Sequence, residues 1–245
     1  FSSYGKNLLK QYIQFVQITL EPQDDANTVF SKLNYDGIKL NISDLVRNDV
    51  FSRLPESDIK SNNDFFNKQW SPFEKAFPKG SFDQFITVFS FIKFKGAIPK
   101  ARAFPELQKS WSKLKPLKIV SEMKEFSDLY IALVNYFKID SFPNEVNERI
   151  KCLSLMPKST VTWPYILKLL YEFRQRNVST KQVCKCLRIV ESFLVRRGIV
   201  GLEPTGLHAV FKSLWTKAGA DEIKLKSKII TTTIRCPGND VLKAT

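Results

Sequence analysis

The sequence predicts a mostly α-helical, multi-helix bundle with one or two short β-strands near its N-terminus. Apolar residues recur at helical spacing along most of the 245 residues, which is the primary signal for amphipathic helices. The chain has 20 phenylalanines against 9 glycines, a composition that favours helices packed through bulky side chains. A hydrophobic fraction of 43% also predicts a folded chain with a substantial core.

The N-terminal part contains the clearest strand signal. Over Phe15–Leu20 the residues alternate, so that Val16 and Ile18 share one face with Leu20. A short helix follows, and a turn is predicted where Asp36 precedes Gly37. Asn41 and Asp44 have the spacing of a capping box, so the next helix is predicted over Ile42–Leu54, before Pro55.

Helices are predicted for the rest of the chain up to about residue 219. Ser71, Pro72 and Glu74 have the pattern of a helix start, and Ser179 with Gln182 forms a second capping-box pattern. The apolar stripes are Phe82, Phe85, Ile86 and Phe89 before Gly96; Leu117, Val120, Met123, Phe126, Tyr130, Leu133 and Phe137; Ile166, Leu167, Leu170 and Phe173 after Thr162; Val183, Leu187, Val190 and Leu194 before Gly198; and Leu207, Val210, Phe211 and Leu214. From Ala220 onward no core pattern is evident.

Positive charge is concentrated in two segments. The net charge is +14 and the isoelectric point is about 9.6, which favours a polyanionic partner. Lys93–Lys118 holds 8 basic residues and one acidic residue, and Lys151–Arg197 holds 10 basic and 2 acidic residues. The first 50 residues, by contrast, carry 5 basic and 6 acidic side chains.

Three cations of the second segment fall on one helix face. Lys181, Lys185 and Arg188 stand at i, i+4 and i+7, opposite the apolar stripe, so they can lie along a phosphate backbone. The alternatives are a solvated helix face and a membrane surface. No element resembles a reader of base sequence, so the expected contact is to phosphates.

Metal binding and autonomous catalysis are not indicated. Cys152, Cys184, Cys186 and Cys236 lack the paired spacing of a zinc site, and His208 is the single histidine. The cysteines are therefore predicted to be free thiols in a reducing cytoplasm. The sequence has no phosphate-binding glycine loop, no apolar run of transmembrane length and no recognisable signal peptide.

A family resemblance rests on two segments. Residues 30–48 read FSKLNYDGIKLNISDLVRN and closely resemble the signature F-x-x-L-N-x-x-G-x-x-L-x-x-x-D-L-[IV]-[KR]-N of the GmrSD-type restriction family. Residues 189–201 are similar to the E-x-F-x-x-R-R segment of the same family, through Glu191, Phe193, Arg196 and Arg197. The family occurs in modification-dependent and phosphorothioate-sensing restriction proteins.

The resemblance implies how the chain is organised. Residues 1–60 would be the end of a ParB-like domain, residues 61–219 a helical connector domain, and residues 220–245 a linker or the start of a further domain. The family's D-G-Q-Q-R motif and its HNH nuclease motif do not occur here. The chain is therefore expected to be a fragment without a catalytic site, metal or cofactor of its own. A nucleoside triphosphate and Mg²⁺ are expected in the full-length protein, together with an N-terminal ParB-like segment and a C-terminal nuclease domain or subunit.

The resulting hypothesis is a DNA-binding and coupling fragment of a restriction or anti-phage defence protein. The nucleotide or DNA cleft would include Asn34, Gly37, Asp44, Arg47 and Asn48, and the DNA backbone would contact Lys181, Lys185, Arg188, Arg196 and Arg197. Turn and cap roles are the alternative for the first set, and a Glu191–Arg196 ion pair is an alternative for the second. Two other functions stay open: a helical protein-interaction scaffold, and a metal-dependent triphosphatase or nuclease that uses Asp24, Asp25, Asp36 and Asp44.

Overall fold

The computed structural model describes residues 40–55, 58–136, 138–231 and 236–243. The chain divides into two units at Leu40/Asn41, and the second unit contains nearly all of the described residues. The fold is mostly α, as predicted, and the described ranges contain no strand. The predicted strand over Phe15–Leu20 and the residues Asp24, Asp25, Asn34, Asp36 and Gly37 lie outside the described residues.

The helices follow one another with short connections. A π-helical turn at Phe66–Trp70 and 3₁₀ turns at Lys100–Arg102 and Ser159–Thr162 lie between the α-helices. The α-helices are α1 (Ile42–Ser52), α2 (Ile59–Phe65), α3 (Ser71–Lys75), α4 (Ser81–Lys93), α5 (Ala103–Trp111), α6 (Pro116–Asn135), α7 (Asn144–Leu155), α8 (Trp163–Arg174), α9 (Thr180–Ile199), α10 (Leu207–Ala218), α11 (Glu222–Thr231) and α12 (Asn239–Lys243).

Helix α8 is the centre of the bundle. It packs against α4, α6, α9 and α10, and a helix with neighbours on so many sides must be apolar nearly all round. Its residues Tyr165, Ile166, Leu167, Leu169 and Leu170 are each completely buried. The apolar sequence of α8 therefore fits its position among four other helices.

Aromatic side chains fill the half of the core formed by the earlier helices. Phe73, Phe77, Phe82 and Phe85 form edge-to-face, tilted and stacked contacts with ring centroids 4.8 to 6.5 Å apart. Tyr130 of α6 packs on Phe85 at 5.2 Å. These separations are favourable for aromatic pairs and confirm that bulky side chains join the helices.

Several predicted helix details are confirmed and others are wrong. Helix α1 begins at Ile42 and ends at Ser52, but Asn41 makes no side-chain cap. The backbone amide of Ser43 donates instead to Asp83 of α4 at 2.9 Å. Leu117 is 57% exposed, because α6 turns it away from the core that buries Val120 and Met123.

The segment after residue 219 packs on the same bundle. Within residues 220–245, α11 packs against α9 and α10 and buries Leu225 and Ile229. Helix α1, which lies before the expected boundary at residue 60, likewise buries Val46 and Val50 in the core. The assignment of residues 1–60, 61–219 and 220–245 to separate domains stays a prediction.

Candidate nucleic-acid interface

Helix α9 carries the predicted row of cations, and its start is firmly fixed. The Ser179 hydroxyl accepts a hydrogen bond from the Gln182 amide at 3.3 Å, and the Gln182 side chain accepts one from the Ser179 amide at 3.0 Å. This reciprocal capping box confirms the prediction. Because Val183, Leu187 and Val190 are buried, the helix turns Lys181, Lys185 and Arg188 to the surface, where all three are exposed.

Helix α11 lies beside α9 and adds further lysines. Burial of Leu225 and Ile229 leaves Lys224, Lys226 and Lys228 exposed. Sequence reasoning missed these lysines because the segment was expected to be a linker. The signal that could have found them is the i, i+4 pair Leu225 and Ile229, which marks one buried stripe on a short helix.

Acidic side chains from neighbouring helices partly neutralise the row. Glu222 lies between two amines, 2.6 Å from Lys185 Nζ and 2.8 Å from Lys226 Nζ. The hydrogen bond from Lys185, followed by that from Lys226, lowers the pKa of Glu222 to about 2. Glu145 of α7 lies 4.0 Å from Arg188, at the limit of an ion pair between exposed groups. These ion pairs therefore hold Lys185 and Arg188 in place, and the carboxylates of Glu222 and Glu145 compete with any other anion for these two cations.

Arg196 and Arg197 are in different surroundings. Arg196 donates to the Pro237 carbonyl at 3.1 Å and to the Asn239 side chain at 2.7 Å, so it holds the segment that follows α11. Arg197 is only 6% exposed and donates to the Glu203 carbonyl. Arg197 thus lies apart from the exposed row. Glu191 pairs with Arg149 at 3.0 Å rather than with Arg196, so the alternative ion pair is wrong.

A groove of about 770 Å³ collects several of these cations. Lys185, Arg188 and Arg196 line one side, and Lys226 lines the other. Phe193, Ile229 and Ile230 form its apolar part. The structure thus brings three of the predicted backbone contacts together with a lysine of α11.

The motif residues of α1 lie elsewhere on the bundle. Arg47 pairs with Glu74 of α3 and, at 3.5 Å, with Asp44, and Trp70 also donates to Glu74 at 2.8 Å. Asp44, Arg47 and Asn48 are half-buried. Helix α1 packs against α4 and α5, whereas α9 packs against α7 and α11, so the two predicted sets lie among different neighbours.

The described residues contain no group of three or more histidine, cysteine, aspartate or glutamate side chains that could hold a metal ion. The four cysteines are free; Cys184 and Cys186 are buried and Cys152 is exposed. Burial raises the pKa of the Cys186 thiol, which disfavours the reactive thiolate. Among the described helices, none combines the length and apolar character needed to cross a membrane.

Comparison with known proteins gives no relative: no family model, no curated protein and no solved structure matches this chain.

Proposed function

We propose that this chain is a DNA-binding and coupling part of a restriction or anti-phage defence protein, and that α9 and α11 contact the phosphate backbone. The observation that carries the proposal is the exposed row Lys181, Lys185 and Arg188 alongside the exposed lysines of α11. The resemblance of residues 30–48 to the GmrSD-type signature suggests the biological setting.

The dimensions of the row suit a nucleic-acid strand. Lys181 and Arg188 are 7 residues apart on a helix, which corresponds to about 10 Å along its axis. A DNA strand rises about 3.4 Å per nucleotide, so the row covers the length of about three nucleotides. Flexible lysine and arginine side chains reach phosphates without reading bases, so we expect binding that depends on charge and not on sequence.

The first test compares duplex binding of two triple variants over a salt series. Lys181→Ala, Lys185→Ala and Arg188→Ala together should weaken binding about 100-fold at low salt. The log–log salt slope should fall by about 0.9 for each phosphate that the variant no longer neutralises. Fluorescence anisotropy with a labelled duplex measures both quantities.

The matched control removes three exposed lysines from the less basic half of the chain. Lys60→Ala, Lys75→Ala and Lys79→Ala change the net charge by the same amount, and all three side chains are exposed. The control should lose only the small affinity that comes from overall charge. Equal losses of affinity in the two triple variants, or wild-type binding that does not change with salt, would refute the proposed surface.

Replacing Glu222 with glutamine should strengthen duplex binding several-fold. Glu222 occupies Lys185 and Lys226, and its removal frees both ammonium groups for phosphates. Because the pKa of Glu222 is about 2, it is ionised at every pH from 5 to 8, and the gain should be constant across this window.

Asp64→Asn is the control for this gain. Asp64 of α2 pairs with Lys68 of the π-helical turn at 3.1 Å. Replacing Asp64 with asparagine removes one negative charge, as replacing Glu222 with glutamine does. A similar gain in both variants would show that overall charge, not the release of Lys185 and Lys226, determines affinity.

A helical protein-interaction scaffold is the second candidate function. It is favoured by two isoleucines of α11, Ile223 and Ile230, which are 80% and 66% exposed. Exposed apolar side chains that join into a contiguous patch mark protein interaction sites. A monomeric chain that binds duplex DNA tightly would count against this candidate, and light scattering with the anisotropy assay distinguishes the two.

A metal-dependent triphosphatase or nuclease is a third function that the acidic residues suggested. Of its four aspartates, only Asp44 lies in the described part of the chain, where it pairs with Arg47. Nucleotide turnover in the presence of Mg²⁺ is the measurement that decides this alternative.

A further inference from the structure

The two basic segments of the sequence meet at a second groove. It has a volume of about 700 Å³ and lies among residues of α4, α6, α8 and α10. Lys93, Lys95 and Lys118 come from the first basic segment, Lys168 comes from the second, and α10 adds Lys212. This groove is separate from the α9–α11 surface, because the lining residues of the two grooves do not overlap.

Aromatic side chains line the second groove. Phe126 and Tyr171 are stacked, with ring centroids 4.3 Å apart and an angle of 21° between the planes. Trp215 also lines the groove and is half-buried. The other three tryptophans, Trp70, Trp111 and Trp163, are at most 5% exposed. Trp215 is therefore the tryptophan that a ligand in this groove can reach.

Two lysines of the groove are paired with carboxylates. Lys93 pairs with Glu122 at 2.7 Å, and Lys168 pairs with Glu172 at 2.5 Å while lying 4.7 Å from the centre of the Tyr171 ring. Burial acts to raise the pKa of Glu172, but the hydrogen bonds from Lys168 and Asn177 and the charge of Lys168 together lower it. These pairs form the walls. Lys95 and Lys118, in contrast, are exposed at the rim.

We infer that this groove binds a nucleotide, with the base against Trp215 and the phosphate between Lys95 and Lys118. Ligand sites commonly have volumes of about 300–1,000 Å³ and combine apolar walls with a few polar groups. Aromatic side chains beside lysines are the arrangement that binds unpaired nucleic acid, because bases stack and phosphates pair with cations. The nucleotide can belong to an unpaired strand or be free. The inference goes beyond duplex binding at α9 and α11 and does not depend on it.

Tryptophan fluorescence tests the inference on the whole chain. An oligothymidylate and thymidine triphosphate are titrated separately at low salt. We expect saturable quenching that disappears in Trp215→Phe, since the remaining tryptophans are buried. Quenching by both probes assigns the groove to nucleotides in general, and quenching by the oligonucleotide alone assigns it to a strand. If neither the oligothymidylate nor thymidine triphosphate quenches the fluorescence, the inference is overturned.

Rim variants separate specific binding from overall charge. Lys95→Gln with Lys118→Gln should weaken the binding about 10-fold, and for the oligonucleotide the salt slope should fall by about 0.7 for each phosphate no longer neutralised. Lys109→Gln with Lys113→Gln is the matched control, because both lysines are exposed in the same basic segment but do not line the groove. Equal weakening in the two double variants overturns the inference.

Two further measurements identify what is bound and where. Inorganic tripolyphosphate and thymidine triphosphate are compared as competitors of the bound oligonucleotide. If the two displace it at equal concentrations, the base contributes nothing to binding and the inference fails. The triple variant at Lys181, Lys185 and Arg188 should leave the quenching unchanged. A failure of duplex binding at α9 and α11 is therefore distinguishable from a failure at this groove.

Discussion

Replacing Gly96 with alanine is expected to lower the free energy of unfolding by about 2–5 kcal/mol. Gly96 follows α4 with φ of +72°, and its amide donates to the Phe91 carbonyl at 2.7 Å. A side chain in this left-handed conformation costs about 1–2 kcal/mol. An added Cβ would also lie 2.3 Å from the carbonyl oxygen of Lys212 and 2.7 Å from the Cα of Ser213. Overpacking of this kind adds about 1–3 kcal/mol.

Gly80 provides a matched control for this effect. Its φ is +79°, but an added Cβ would meet nothing within 4 Å. Gly80→Ala should therefore show the conformational cost alone, about 1–2 kcal/mol. Urea denaturation measures both variants, and equal destabilisation would show that the close approach of Gly96 to α10 contributes nothing.

The position of Gly96 connects stability to the second groove. Lys95 immediately precedes it, and the Lys212 backbone that it contacts belongs to α10, which also carries Trp215. Backbone atoms cannot move aside by side-chain rotation, so a Cβ here must separate the end of α4 from α10. We therefore expect Gly96→Ala to weaken nucleotide quenching of Trp215 as well, whereas Gly80→Ala should leave it unchanged.

Local sequence patterns predicted helices well where the residues that stabilise the helix end or face are close together in sequence. The capping box of Ser179 and Gln182 formed as expected, since its partners are three residues apart. The apolar stripe before Gly96 was also correct, and all of Phe82, Phe85, Ile86 and Phe89 are buried. In these cases the helical period and the cap determine the element without help from distant residues.

Predictions failed where a distant residue supplied the partner. Asn41 was expected to cap α1, but Asp83, which is 40 residues from Ser43 in sequence, accepts the Ser43 amide. Glu74 was expected to complete a helix start at Ser71, but the chain continues without interruption from the π-helical turn into α3. Glu74 is then available to Trp70 and Arg47.

The candidate surface shows the same division. The exposed face of α9 could be predicted from its spacing, because burial of Val183 and Leu187 determines which way Lys181 and Lys185 point. The partner that neutralises Lys185 could not be predicted, because Glu222 is 37 residues away in sequence. The burial of Arg197 was equally hidden, because it depends on how residues 201–204 return along the end of α9.

Replacing Asp49 with asparagine is expected to destabilise the fold by about 3–5 kcal/mol, a second effect that local sequence does not reveal. Asp49 is 4% exposed and pairs with Arg53 at 3.0 Å, and Gln108 of α5 donates to it at 3.0 Å. Asparagine has nearly the same shape, so little cavity is created. The cost arises because the mostly buried guanidinium of Arg53 loses its counter-charge. Thermal or urea unfolding of the whole chain measures the destabilisation.

Asp64→Asn tests whether burial is the cause, because Asp64 and Lys68 have the same i, i+4 spacing. Their side chains are 54% and 69% exposed, and such surface pairs contribute about 0.3–0.5 kcal/mol. Arg53→Met in the Asp49→Asn background should recover only part of the stability. It removes the unpaired charge, but the hydrogen bond that Arg53 donates to the Trp111 carbonyl at 2.7 Å is lost, and only the Leu114 amide then donates to that carbonyl. Full recovery of the free energy of unfolding would mean that Arg53 contributes nothing to joining α1 and α5. If Asp64→Asn lowered the free energy of unfolding as much as Asp49→Asn, burial of the ion pair would not be the cause.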